Sequence, residues 1–136
     1  MASGIYNRYK ANLMNKIVDM EADSLILMLM DNVHSFTATD DVVGDVDANE
    51  LPTAGGYTQK TEALANGTVL QAATTNFDAD NSVWAAATFT AYHAVIYDDT
   101  VATDDLICSI DFGGAKTVTA GTFTIQWDAA GIITLA

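Results

Sequence analysis

The stretch "ATFTAYHAVIYDDTVATDDLICSIDFGG", residues 87–114, decides the fold. Residues 87–99 alternate on the two-residue period of a strand. Phe89, Ala91, His93, Val95 and Tyr97 fall on one face, and Thr88, Thr90, Tyr92, Ala94 and Ile96 on the other. A second run, "DLICSIDF" (105–112), follows after a short acidic loop. Asp98, Asp99, Asp104 and Asp105 flank that loop and read as turn chemistry with a negatively charged rim. Gly113-Gly114 reads as the next turn.

Outward from this pair the β pattern continues. "TVTAGTFTIQW" (117–127) and "GIITLA" (131–136) follow it, while "TVLQAATT" (68–75) and the partly alternating "YTQKTEAL" (57–64) precede it. Asn66-Gly67 is a turn pair, and "FDADNS" (77–82) reads as a turn. Short strands broken by turn signals every 8–12 residues or so indicate a mainly β domain, an antiparallel β-sandwich or jelly-roll-like barrel. Trp84, Phe89, Val95, Tyr97, Ile107, Phe123, Ile125, Trp127 and Ile133 are its expected core.

The N-terminal third differs. Over 3–17, Ile5, Tyr6, Tyr9, Leu13, Met14 and Ile17 recur at spacings of three and four, predicting one N-terminal helix with Ser3 as its N-cap. "LILMLM" (25–30) is short and wholly apolar, which suits a strand buried on both faces. Residues 33–56 are acidic, hold Pro52, end in Gly55-Gly56, and predict a long loop with a short helical turn capped by Thr39 or Asp40. No repeat or domain boundary interrupts residues 1–136, so a single β domain is expected.

Composition narrows the function. Five Lys and Arg stand against 18 Asp and Glu, a net charge of −13. Arg8, Lys10 and Lys16 all precede residue 17, so a +3 segment leads a remainder of −16. Such a surface repels nucleic-acid phosphates and anionic lipid, and suits a partner with a basic face. The longest apolar run is too short to span a bilayer, no signal peptide is evident, and the chain reads as soluble. Cys108 is the one cysteine and reads as a small buried hydrophobe.

The candidate chemistry is sparse. His93 lies on the central strand, where Asp111 or Cys108 on the next strand would be within reach if the two pair. Cys108 and Asp111 are three apart and so face opposite ways, and nothing signals an oxyanion hole or an activated thiol. His34 and His93 lack zinc-ligand spacing. Asp40, Asp41, Asp45, Asp47 and Glu50 invite a calcium reading, but their spacing does not fit the twelve-residue calcium loop. No phosphate-binding or nucleophile-elbow motif occurs. The expectation is a protein without cofactor, metal or catalytic residues, its sheet acidic on the turns.

Taken together, "YNRYKANLMNKIVDMEADSLILMLMDN", "FDADNSVWAAATFTAYHAVIYDDT", "LICSIDFGG" and "GTFTIQWDAAGIITL" resemble small virion structural proteins of tailed bacteriophages. The matching positions are Trp84, Phe89, Ala94, Val95, Ile96, Tyr97, Asp98, Asp99, Asp111, Phe112, Gly113, Gly114, Phe123, Ile125, Trp127, Gly131, Ile132 and Leu135. The likeness covers most of the chain and is weakest over 33–76; the Met-rich "LILMLMDN" departs slightly from the pattern. It implies a head decoration (cement) protein on the capsid outer surface, an oligomer bridging the major capsid protein and neighbouring copies of itself. A tail, neck or baseplate component, or a free-standing binding module, are the alternatives. The resemblance brings no catalytic residues. The charge split assigns docking to the N-terminal segment through Ile5, Tyr6, Arg8, Tyr9, Lys10, Leu13 and Lys16, with the 33–56 loop beside it.

Overall fold

Every residue of "LILMLM" is buried, and it forms a strand, β2 (Leu25–Met30). The strand pleat sends alternate side chains to opposite faces. Leu25, Leu27 and Leu29 enter one apolar cluster, and Ile26, Met28 and Met30 enter a second on the other face. A six-residue apolar run is therefore required, because this strand has no solvent face.

The computed structural model describes residues 3–136. Around β2 lie β1 (Gly4–Ile5), helix α1 (Asn7–Met14), β3 (Glu62–Ala63), β4 (Thr68–Leu70), β5 (Thr75–Asp78), β6 (Ser82–Asp98), β7 (Asp105–Ile125) and β8 (Ile133–Leu135). The larger sheet runs β1-β7-β6-β2-β3 and the smaller β4-β5-β8, with every pairing antiparallel. This is the expected mainly β, sandwich-type architecture with one helix near the N-terminus. Tyr9 of α1, Phe77 of β5 and Ile133 of β8 close the first cluster, and Val43 and Val46 of the 33–56 segment close the second. Each fully buried Leu or Ile contributes roughly 1.5–3 kcal/mol of transfer free energy, so both faces of β2 weigh heavily in stability.

Several boundaries differ from the sequence reading. The helix does not span 3–17, because Gly4 and Ile5 pair instead with Ser109 and Cys108 of β7. Ser3 is not its cap: the residue before the helix is Tyr6, extended and without a capping side-chain bond, while the Ser3 hydroxyl accepts the Asp111 N–H at 2.9 Å. Gly113-Gly114 is not a turn between strands. It lies inside the 21-residue β7 at φ values of 76° and 139°, where the ladder passes from Ala91↔Lys116 to His93↔Asp111. Two steps along β6 thus face five along β7, a bulge that glycine tolerates at positive φ.

That bulge also corrects the faces of β6. Ala91 joins the first cluster with Ala94 and Ile96, while Val95 and Tyr97 join the second. Strict alternation had put Ala91 with Val95 and Tyr97. The run 68–75 is split between β4 and β5, and Phe77 is a buried strand residue rather than part of a turn. Of the expected core, Phe89, Phe123 and Trp127 are only half-buried.

Within 33–56 two single 3₁₀ turns form, Val43–Asp45 and Asp47–Asn49. The cap is neither Thr39 nor Asp40: Asp45 accepts the N–H groups of Asp41 and Val42 at 2.9 and 3.1 Å. Gly55, at φ 59°, allows the segment to lie directly on the β6 backbone, where the Thr88 N–H donates to the Gly55 carbonyl at 2.8 Å. A side chain at Gly55 would strike the Thr88 carbonyl.

Candidate functional site: a histidine cleft, a buried acidic turn and a carboxylate-free ribbon

His93 sits where β2 ends and β7 bulges, opposite Met30 on one side and Asp111 on the other. Its Nδ1 lies 3.2 Å from the Asp31 carbonyl, and its Nε2 lies 3.7 Å from Asp111 Oδ1. The strands thus bring together the His93 and Asp111 that the sequence suggested. His34 packs edge-on against His93 with ring centroids 5.1 Å apart, and its Nε2 is 2.9 Å from Ser109 Oγ. The Asp31 carboxylate accepts the N–H groups of Val33 and His34, which turns the chain after β2 and delivers His34 inward. Burial, with His93 adding to it, pushes His34 down to about 4, so its imidazole is neutral at neutral pH.

A cleft of about 350 Å³ opens beside this group, lined by Asn32, Tyr92, His93, Asp111, Gly113 and Gly114. Ser109 does not line it and is 2 % exposed. Cys108 is not part of the group either. It faces Ile96 across the ladder within the first apolar cluster, and burial pushes its thiol up to about 12. A thiol held protonated among hydrocarbon is a poor nucleophile.

The four-aspartate turn is not a uniform solvent-facing rim. Asp98 and Asp105 are buried, at 1 % and 4 % exposure. Asp105 accepts the Asn12 amide at 2.7 Å and the Thr103 hydroxyl at 2.6 Å, with Arg8 Nε 3.9 Å away. Asn12 is itself buried on α1, so this bond ties the helix to the tip of the β6–β7 hairpin. Asp98 accepts the Thr100 N–H at 3.0 Å and faces Asp23. Burial first, and the Asp23 carboxyl second, push Asp98 up to about 7.

The acidic residues of the loop do not converge. Asp45 caps its own turn, Asp47 pairs with Lys60 at 2.8 Å, and Glu50 points inward. There the Tyr57 hydroxyl donates to Glu50 at 2.7 Å and accepts the Leu29 N–H at 3.0 Å. Burial raises the Glu50 carboxyl above its ordinary range. Among the described residues, no three His, Cys, Asp or Glu side chains are grouped to hold a metal ion.

The N-terminal docking residues separate into two sets. Tyr6 and Tyr9 are buried in the protein's own two clusters, at 0 % and 3 % exposure, with Ile5 and Leu13 half-buried behind them. Arg8 is drawn toward Asp41, at 3.6 Å, and Asp105. Lys10 and Lys16 remain exposed. The helix packs its two tyrosines into its own sandwich, while Met14 at its end, 91 % exposed, and Ile17 stay outside it.

The pairing of β6 with β7 makes a further surface. Residues 82–97 contain no Asp, Glu, Lys or Arg, and residues 112–127 contain only Lys116. These are the two strands of one ribbon, paired from Ser82↔Ile125 to Ala91↔Lys116. Along it Trp84, Phe89, Phe112 and Phe123 form a chain of ring contacts with centroids 5.0–6.5 Å apart. The gap in the charge pattern was visible in the sequence, but that both halves fall on one ribbon depends on the register.

No protein-family model, curated protein or solved structure matches this chain. The likeness to phage virion proteins therefore stands on the residues quoted above alone.

Proposed function

We propose that this chain is a non-enzymatic structural subunit of a tailed-phage particle, a decoration protein that binds the capsid outer surface and bridges capsid subunits. The observation that carries this reading is the division of its surface. A carboxylate-free ribbon with half-buried aromatic rings, whose one charge is Lys116, joins a body that bears every carboxylate side chain. A decoration protein needs an adhesive surface free of like-charge repulsion and an outer face that keeps particles dispersed and DNA away. Contacts repeated over a symmetric shell can each be modest, because many act together. The two histidines engage the chain's own groups: His34, buried behind the cleft, lies against Ser109, and His93 against the Asp31 carbonyl. Among the described residues no helix is long and apolar enough to cross a membrane.

The test is to add purified protein to shells lacking it and image the particles. Density at symmetric positions on the icosahedral shell is the expected result. Density only on the tail or neck, or no binding to particles, overturns the decoration reading.

A further inference from the structure

The outer edge of β7 is open along most of its length. From Asp105 to Asp111 it is covered by β1, by the Tyr6 N–H on the Ile107 carbonyl, by a Val42↔Asp105 bridge and by Ser3, and beyond Asp111 no strand of the described residues pairs on that side. An open edge presents unpaired N–H and C=O groups, a template for another strand. Its shape limits what can pair. The bulge at Gly113-Gly114 bends one end, and Ala120, at φ 47°, interrupts the other. Between them Lys116–Val118 keep unbroken register with β6, and the run Ala115–Thr119 around them is exposed except for the half-buried Val118.

Charge then selects the partner. Two copies of a chain at −13 repel wherever their acidic faces meet, but no carboxylate occurs from Phe112 to Trp127. We propose that this edge pairs with the same edge of a second copy, antiparallel about a two-fold axis at Thr117. That centre uses the whole run from Ala115 to Thr119. It sets Lys116 opposite Val118 of the other copy rather than against a second lysine. A groove of about 250 Å³ lined by Phe112, Lys116 and Phe123, with both rings only half-buried, lies on the same strand. The larger sheets of the two copies become one continuous sheet. Such a contact is isologous and closes on itself, so it yields a dimer and not a fibre. Self-pairing is a property of the free chain, and its failure leaves the decoration reading standing.

The full chain is tested by sedimentation velocity over a range of concentrations, with circular dichroism confirming the strand signal of each variant. A concentration-dependent dimer is expected. The double variant Thr119→Glu, Thr122→Glu, at two exposed positions, is expected to weaken it by at least about tenfold, since four negative charges then lie along the seam, one from each copy opposite Ala115 of the other. Thr117→Cys is expected to give a covalent dimer under mild oxidation, because Cys108 is buried and the new thiols lie near the axis. Asn15→Cys, at the end of the helix, is the control and is expected not to cross-link. A monomer at every concentration overturns the proposal. So does a dimer unaffected by the glutamates, or one that cross-links through Asn15→Cys and not through Thr117→Cys.

Discussion

Replacing Asp98 by Asn removes a proton site while keeping the shape. The parent carboxyl stands at about 7 in the folded protein against an ordinary 3.8, because it is buried and faces Asp23. A carboxyl raised on folding binds its proton more tightly in the folded state. Its contribution to stability is therefore complete below about pH 4, is lost as pH rises toward 7, and is constant above that. The full shift corresponds to a ceiling of ~4 kcal/mol at ~1.4 kcal/mol per unit. Asp23 is half-exposed, so water screens the pair and ~1–2 kcal/mol remains. The amide of Asn keeps the acceptor for the Thr100 N–H and turns a donor toward Asp23. Asp98→Asn should thus be more stable than the parent by ~1–2 kcal/mol near pH 8, a rise of roughly 3–8 °C in Tm, and equal to it near pH 4. Thermal unfolding of both proteins in a pH series reads the difference directly. A variant that is destabilised equally at every pH, or a difference that does not change between these limits, refutes the buried-acid account.

Truncating Asn12 to Ala leaves the buried Asp105 carboxylate with one donor fewer, and should cost ~1–3 kcal/mol in urea unfolding. Leu27→Ala empties a fully buried position at the centre of β2 and should cost ~2–5 kcal/mol by the same measurement. Gly55→Ala combines a positive φ with a clash against the Thr88 carbonyl, and should lower Tm by more than the same change at Gly44, where a side chain meets nothing. Cys108 should resist alkylation at neutral pH in the folded protein and react once the chain is unfolded. Rapid reaction of the native thiol would show that this core is open.

Element type was legible wherever one residue pattern admitted one solution. The six apolar residues of β2 suit a strand buried on both faces, and the Asn66-Gly67 pair marks a bend between β3 and β4, with Asn66 at φ 54°. Where the sequence misled, a tertiary constraint decided. Gly113-Gly114 carries turn chemistry, yet the long partner strand β6 keeps it in the ladder as a bulge. The helix stripe reaches back to Ile5, but that residue finds a strand partner in Cys108. His93 and Asp111 were rightly brought to adjacent strands. The burial of Asp98 and Asp105 was not legible, because nothing local distinguishes them from the more exposed Asp99 and Asp104. Only the approach of Asp23 and Asn12 from elsewhere in the chain sets them apart.

The double burial of β2 has a consequence for how the chain reaches this state. In most sheets a strand that docks one residue out of place turns polar groups inward and is rejected at once. β2 has no polar side chain to misplace, so a shifted "LILMLM" would still bury six hydrocarbon groups, exchanging leucines for isoleucine and methionines. Alignment must then be enforced at the ends. The Ser24 N–H bonds the Thr100 hydroxyl at 2.7 Å before the strand, and Asp31 gathers the Val33 and His34 N–H groups after it. These polar latches close only when β2 is in place. Misaligned intermediates should therefore persist until β2 slides home, and loosening either latch should slow refolding by more than it lowers equilibrium stability.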